Sequence, residues 1–213
     1  VDAVKAGSVE MVRSLPLDGK DALWPSNDIA VEFFKMHGGQ PKKYFINVTA
    51  TTEIYTGWKI TEALIREGLV EKREGGYYIV KFRELLDMIV AETTWRDIGL
   101  PFYGNIVVRC TDPTKSNSGN MFSGLVANML NDGSIVNRES VKVMLPKLVD
   151  FFERLGMMEH SSGDIFRKFI ATGINNSMVV GYENQLVEFV LAHPEDRDAI
   201  LSSVCVLYPM PTV

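Results

Sequence analysis

Residues 105–130, NIVVRCTDPTKSNSGNMFSGLVANML, decide how the rest of the chain is read. Ile106, Val107 and Val108 are a β-branched run of the right length for a buried strand. A polar stretch from Thr111 to Gly119 follows, with Asp112-Pro113 as its turn starter. Met121, Phe122, Leu125, Val126, Met129 and Leu130 then recur at i, i+4 and i+8, the spacing of one helix face. Asn131-Asp132-Gly133 ends that helix. Ser116 or Ser118 stands where a capping side chain is expected. A strand that feeds a Ser/Gly-rich turn at a helix N-terminus leaves amide N–H groups and the positive dipole end facing outward. Such an end suits an anion or an acceptor-rich ligand. Capping alone accounts for the same residues, and both roles are compatible. The turn is not a nucleotide loop, because neither GxxxxGK[ST] nor Gly-x-Gly-x-x-Gly is present.

Working outward, the same device recurs. Asp21-Ala22-Leu23-Trp24 reads as a short buried strand running into Pro25-Ser26-Asn27-Asp28 and a helix carrying Ile29, Val31, Phe33, Phe34 and Met36, closed by His37-Gly38-Gly39. Asp28 counts against an anion there, since a carboxylate in the first turn already satisfies the dipole. Met178-Val179-Val180 is a strand followed by Gly181-Tyr182-Glu183-Asn184-Gln185 and another helix. Between these, Tyr44 to Thr52 reads as a strand, Trp58 to Ile65 as a helix ending at Gly68, and Val70 to Val80 as a hairpin around Gly75-Gly76. Phe82 to Val90 is helical, and Trp95 to Gly104 is a Gly/Pro-punctuated connector and the candidate boundary between lobes. A helical pattern runs from Val141 to Leu155, where Pro146 is expected to kink or restart it. A short helix holds Ile165 to Ile170, and Val204 to Leu207 is a strand with Tyr208 to Pro211 as an extended exit. Strand and helix in alternation predict an α/β fold with mostly parallel sheets.

Composition narrows the class. The chain has 213 residues, 46% hydrophobic and 23% charged, with a net charge of −5. These are globular values, and without a basic run a nucleic-acid partner is not expected. No apolar run reaches the roughly 18 residues of a membrane span, and the first residues carry no signal-peptide core. Cys110 and Cys205 sit in apolar runs, as small buried side chains do, and no Cys/His spacing suits zinc. His37, His160 and His193 show no i,i+4 pairing. No GxSxG or HExxH motif supports an enzyme, and His160 beside Ser161-Ser162 is adjacency, not triad geometry.

Three stretches, Trp24 to Asn27, Thr111 to Gly119 and Val180 to Gln185, follow one another as in the bacterial extracellular solute-binding proteins. The chain from about Asp21 onward resembles their two-lobed type II periplasmic binding fold, in the molybdate-, sulfate- and phosphate-type branch. The resemblance implies lobe one over 1–103, with 206–213 returning to it, and lobe two over 104–205. Lobe one is expected to lack its first strand and helix. The resemblance also implies ligand contacts at Ser26 and Asn27 in lobe one and at Thr111, Ser116, Ser118 and Gly119 in lobe two, with Tyr182 and Glu183 lining the cleft near the hinge.

The function expected from it is an uptake receptor, not an enzyme. It would hold a small oxyanion or carboxylate between the lobes as a monomer, with no cofactor, and pass it to ABC transporter membrane subunits. Its location would be periplasmic or extracellular, with a lipid anchor through a missing N-terminal segment. Arg109 and Lys115 flank the turn and can offset ligand charge or serve as solvated surface charges. The alternatives are a metal-ion receptor using Tyr182, Glu183 and Asp112 as oxygen donors, and a sensory or interaction domain of the same fold.

Overall fold

Met178-Val179-Val180 and Cys205-Val206-Leu207 are apolar at consecutive positions. Strand side chains point alternately to opposite faces, so such strands have to be covered on both sides. The computed structural model meets that requirement with three layers. It describes residues 6–13, 16–23, 25, 28–40, 52–174 and 177–210. Its strands are β1 (Glu53–Gly57), β2 (Val70–Lys72), β3 (Tyr78–Lys81), β4 (Val108–Arg109), β5 (Met178–Gly181) and β6 (Val204–Met210). Its helices are α1 (Ser8–Arg13), α2 (Asp28–Met36), α3 (Trp58–Arg66), α4 (Phe82–Val90), α5 (Asn117–Leu130), α6 (Ser140–Arg154), α7 (Ser162–Lys168), α8 (Glu183–Ala192) and α9 (Arg197–Ser203).

The protein is an α/β structure with one six-stranded sheet in the order β2-β3-β6-β1-β5-β4. One face packs on α3, α4, α5 and α6 through Ile54, Val80, Val108, Met178, Val180, Cys205 and Leu207. The other face packs on α7, α8 and α9 through Tyr55, Val179 and Val204. Consecutive residues of one strand thus enter different cores, which is why these strands lack polar alternation. β1 pairs with β5, on the far side of the expected boundary at 103/104, and the larger core draws on both sides of it.

Several expectations need correction. The sheet is mixed, not mostly parallel: β1 runs antiparallel to both β5 and β6, β2 runs antiparallel to β3, and only β3–β6 and β4–β5 are parallel. The strand expected over 21–24 does not form at Asp21, Ala22 or Leu23, where two exposed residues leave nothing to bury. Trp24 and most of the strand expected over 44–52 lie outside the described residues, and the strand after them begins at Glu53. Of the two outcomes expected at Pro146, the restart does not occur: α6 runs through it from Ser140 to Arg154. α9 was not anticipated, because 197–203 carries only Ile200 as a buried residue. The hairpin, by contrast, forms in register, Val70 opposite Val80, with Gly75 and Gly76 both at positive φ.

These pairings set the polarity of the sheet. β3, β4, β5 and β6 point the same way, and β1 enters between β5 and β6 from their carboxyl ends, with Glu53 opposite Gly181. The starts of α5 and α8, which follow β4 and β5, therefore open at one edge of the sheet.

Phe122 holds α5 to this frame, fully buried with edge or tilted ring contacts to Phe82, Phe151 and Phe152. Phe122→Ala should lower unfolding stability by about 3–5 kcal/mol, read as a shift of the urea midpoint at constant slope.

Candidate functional site

The turn after β4 is built from local hydrogen bonds. Asp112 accepts the amide of Thr114 at 2.8 Å and its hydroxyl at 2.6 Å, and its other oxygen lies 3.5 Å from the Lys115 ammonium. Burial opposes ionisation of Asp112, but the Thr114 donors and Lys115 outweigh it and hold the carboxyl below its ordinary value. Lys115 lies 3.3 Å from His160 as well, so its charge is already engaged. The turn folds back onto the first turn of α5. Gly119 makes this approach possible, since a Cβ there would stand 2.2 Å from the Thr111 carbonyl oxygen.

Folding back brings three hydroxyls together. Thr111 Oγ1 lies 2.7 Å from Ser118 Oγ, which lies 3.2 Å from Ser116 Oγ. All three residues are buried, at 0%, 1% and 5% exposure for Thr111, Ser118 and Ser116. Ser116 occupies the N-cap position of α5 in extended backbone, yet its side chain makes no capping bond. The expectation that Ser116 or Ser118 caps the helix is therefore corrected: their hydroxyls bond each other and Thr111 instead. The first-turn amides of Asn117, Ser118 and Gly119 have no carbonyl one turn back within the helix. Three hydroxyls carry three hydrogens, and the two contacts between them use two. The third has no acceptor among the described residues.

The second helix start is linked to the first. Asn117 Nδ2 donates to the Tyr182 hydroxyl at 2.9 Å. Tyr182 caps α8 through its backbone, its amide donating to Gln185 Oε1 and its carbonyl accepting the Gln185 amide, each at 2.9 Å. The Tyr55 hydroxyl donates to the same carbonyl at 2.5 Å, and burial pushes that hydroxyl far above its ordinary pKa. The start of α8 already faces a carboxylate: buried Glu53 accepts the Glu183 amide at 3.2 Å. The exposed Glu183 accepts the Tyr208 hydroxyl at 3.0 Å. Burial, that bond and the charges of Glu183 and Glu53 push the Tyr208 hydroxyl up to about 12.

The structure thus joins Thr111, Ser116, Ser118, Gly119 and Tyr182 at one edge and turns the Glu183 carboxylate to Tyr208. Ser26 and Asn27 lie outside the described residues. Glu53, Tyr55, Asn117 and Tyr208 belong to the same network and were not singled out from the sequence. Only Asn117, inside the turn motif, gave a signal. Near the turn, α1 touches the chain backbone to backbone: the Glu10 amide donates to the Lys115 carbonyl at 3.2 Å. A Cβ on Gly7 would stand 2.1 Å from that same oxygen.

Among the described residues no group of three or more His, Cys, Asp or Glu side chains is placed to hold a metal ion. The oxygen donors considered for one are each engaged: Tyr182 by Asn117, Glu183 by Tyr208, Asp112 by Thr114 and Lys115. Ser161 caps α7 and bonds Asp164 at 2.7 Å, while the His160 ring meets Lys115. Cys110 and Cys205 are buried free thiols, and burial first, then the Asp112 charge, pushes Cys110 up to about 12. No protein-family model, curated protein or solved structure matches the chain.

Two outcomes follow. Neither thiol should react with a disulfide reagent at pH 8 until the chain unfolds, so the rate should track urea concentration through the unfolding transition. Asp112 has a depressed carboxyl in the folded state, so its stabilisation is present above its unfolded value of about 3.9 and is lost as pH falls further. Asp112→Asn should therefore be less stable than the parent at neutral pH, and the gap should narrow below about pH 4 in parallel melts.

Proposed function

We propose that the chain is a solute receptor that holds a small oxyanion or carboxylate at the start of α5. The observation that carries this reading is the hydroxyl cluster of Thr111, Ser118 and Ser116, which has one O–H hydrogen to spare beside a 14-residue helix start without a side-chain cap. An acceptor-rich ligand takes that hydrogen and the first-turn amides. The aligned helix dipole then supplies attraction without a full counter-charge. The cluster responds by rotating hydroxyl hydrogens, with no heavy atom displaced, so the donors can point along one direction toward the ligand. The location also agrees with the general rule that open α/β sheets bind ligands outside the carboxyl ends of their strands.

The α8 end plays a different part in this reading. Glu53 and Glu183 make it negative, so it repels an anion and confines it to the α5 side. Asn117 and Tyr182 tie the two helix starts together and hold the turn rigid. In the two-lobed arrangement we infer, the six-stranded sheet forms one wall, and the α1–α2 pair meeting the turn at Lys115 belongs to the opposing one. Hinge closure over the ligand would then press α1 onto the turn. A receptor of this kind would work outside the cytoplasm and deliver its ligand to the membrane subunits of an ABC-type uptake system.

A thermal-shift panel with molybdate, tungstate, sulfate, phosphate and acetate tests the site. An oxyanion present at about 100 times its dissociation constant should add about 2.7 kcal/mol. That corresponds to a rise in melting temperature of several degrees. The rise should disappear in Ser118→Ala, checked to be folded by its own cooperative melt. A flat response across all five anions, or a rise that survives Ser118→Ala, would sink the assignment.

A further inference from the structure

Along the edge strand β4 lies an open groove of about 1160 Å³. Small-molecule sites are roughly 300–1000 Å³, so this one has room for a ligand of that class. None of Ser116, Ser118, Tyr182 or Glu183 lines it. The groove is therefore separate from the hydroxyl cluster, although β4 leads into both.

Its ionic side chains are not all paired. Five ionic side chains line it: Arg109, Arg154, Lys168, Glu92 and Glu159. Arg154 is paired with Glu92 and also reaches Asp150 at 3.0 Å, and Lys168 is paired with Glu159. Arg109 has no ion-pair partner among the described residues. Among the described residues Arg109 is thus the cation of the lining that no carboxylate holds, and its position follows from the strand. Val108 and Cys110 enter the core of the first sheet face, so Arg109 between them projects from the other face, in register with Val179 of β5. Strand pleating makes this obligatory.

Polar and apolar side chains share the rest of the groove wall. Phe102, Met158, Phe169 and Val179 line it, and Phe169 opens a π-helical turn that runs to Gly173. Such turns recur at functional sites. Gly173, which also lines the groove, is held there by close packing, because a Cβ on it would stand 2.7 Å from the Ser177 hydroxyl.

We propose that this groove is a second binding site, for a small amphipathic monoanion. The carboxylate or sulfonate sits on Arg109, which presents a planar fork of donors suited to it. The apolar body lies against the accessible surfaces of Phe102, Met157 and Met158, where removing it from water stabilises the complex. A dianion would bring more charge than one unpaired guanidinium can hold, and a neutral apolar compound would leave that guanidinium partly desolvated with nothing to accept its hydrogen bonds.

The probe is 1-anilinonaphthalene-8-sulfonate, a fluorescent amphipathic monoanion, titrated into the full folded chain. Binding should saturate at one equivalent. Arg109→Gln should weaken it about tenfold or more, the loss expected for one charge-assisted contact, while Arg109→Lys should retain most of it. Arg109 is exposed, so both variants should keep the parental melting temperature. Decanoate should displace the probe, whereas decyltrimethylammonium and sulfate should not. Ser118→Ala should leave the titration unchanged, which separates this site from the hydroxyl cluster. The proposal is overturned by a titration that does not saturate, by unchanged affinity in Arg109→Gln, or by displacement with the ammonium compound equal to that with decanoate.

Discussion

The carboxyl edge of the sheet depends on one constraint: β1 lies antiparallel between two strands that are parallel to each other. Its side chains go to both cores, Ile54 into one and Tyr55 into the other, each with no exposed surface. Burying a strand on both faces leaves it no freedom of register, since a slip of one residue would exchange the two sets of side chains. Glu53 is thereby fixed beside the end of β5, where it receives the first amide of α8. Tyr55 is fixed where its hydroxyl meets the Tyr182 carbonyl. A buried carboxylate is costly unless it is paired and hydrogen-bonded, and a helix start is one of the few places that supplies both amide donors and positive potential.

That constraint also explains what was legible beforehand. The hairpin around Gly75-Gly76, the helices over 58–66 and 82–90 and the turn and helix over 111–130 follow from local periodicity and turn chemistry, whereas the strand expected over 106–108 forms only at Val108–Arg109. β1 did not announce itself. Glu-Ile-Tyr-Thr-Gly begins with a charge and ends with a glycine, and its two apolar residues are adjacent because they face different cores. Nothing local distinguishes it from a loop, and only the long-range pairings with β5 and β6 make it a strand. The mixed polarity of the sheet was hidden for the same reason, as alternating elements fix the class but not the direction in which a strand enters.

The site divides along the same line. Thr111, Ser116, Ser118 and Gly119 were readable because they are close in sequence and share one turn. Glu53 and Tyr208, 155 residues apart by their numbers, meet through the sheet and through Glu183, whose amide donates to one and whose carboxylate accepts from the other. Gly119 was readable as a contact but not for its reason: it is needed because the Thr111 carbonyl occupies the space of its Cβ. The hydroxyls were readable as caps, yet in the folded chain they bond one another. A capping hydroxyl is spent on its own helix, whereas a cluster of hydroxyls keeps a hydrogen to offer.

Both proposals are for anions, and they rest on opposite means. At the start of α5 the donors are neutral and buried, so their selectivity must come from geometry: a compact ligand with several acceptors can meet hydroxyls and amides together. At β4 the donor is a charged, exposed guanidinium beside apolar surface, so selectivity must come from amphipathic shape. Salt should separate the two on physical grounds, since an exposed charge is screened over about 8 Å at physiological ionic strength while short contacts to buried dipoles are screened much less. The strand between them, only two residues long, presents Val108 to the core and Arg109 to the groove before the chain turns at Thr111 into the hydroxyl cluster. Thr111 also bridges to Glu159, and the Asp112 amide donates to the Glu159 carbonyl at 2.9 Å. Glu159 itself lines the groove. The backbone that leads from β4 into the hydroxyl turn is thus held by a residue of the groove wall.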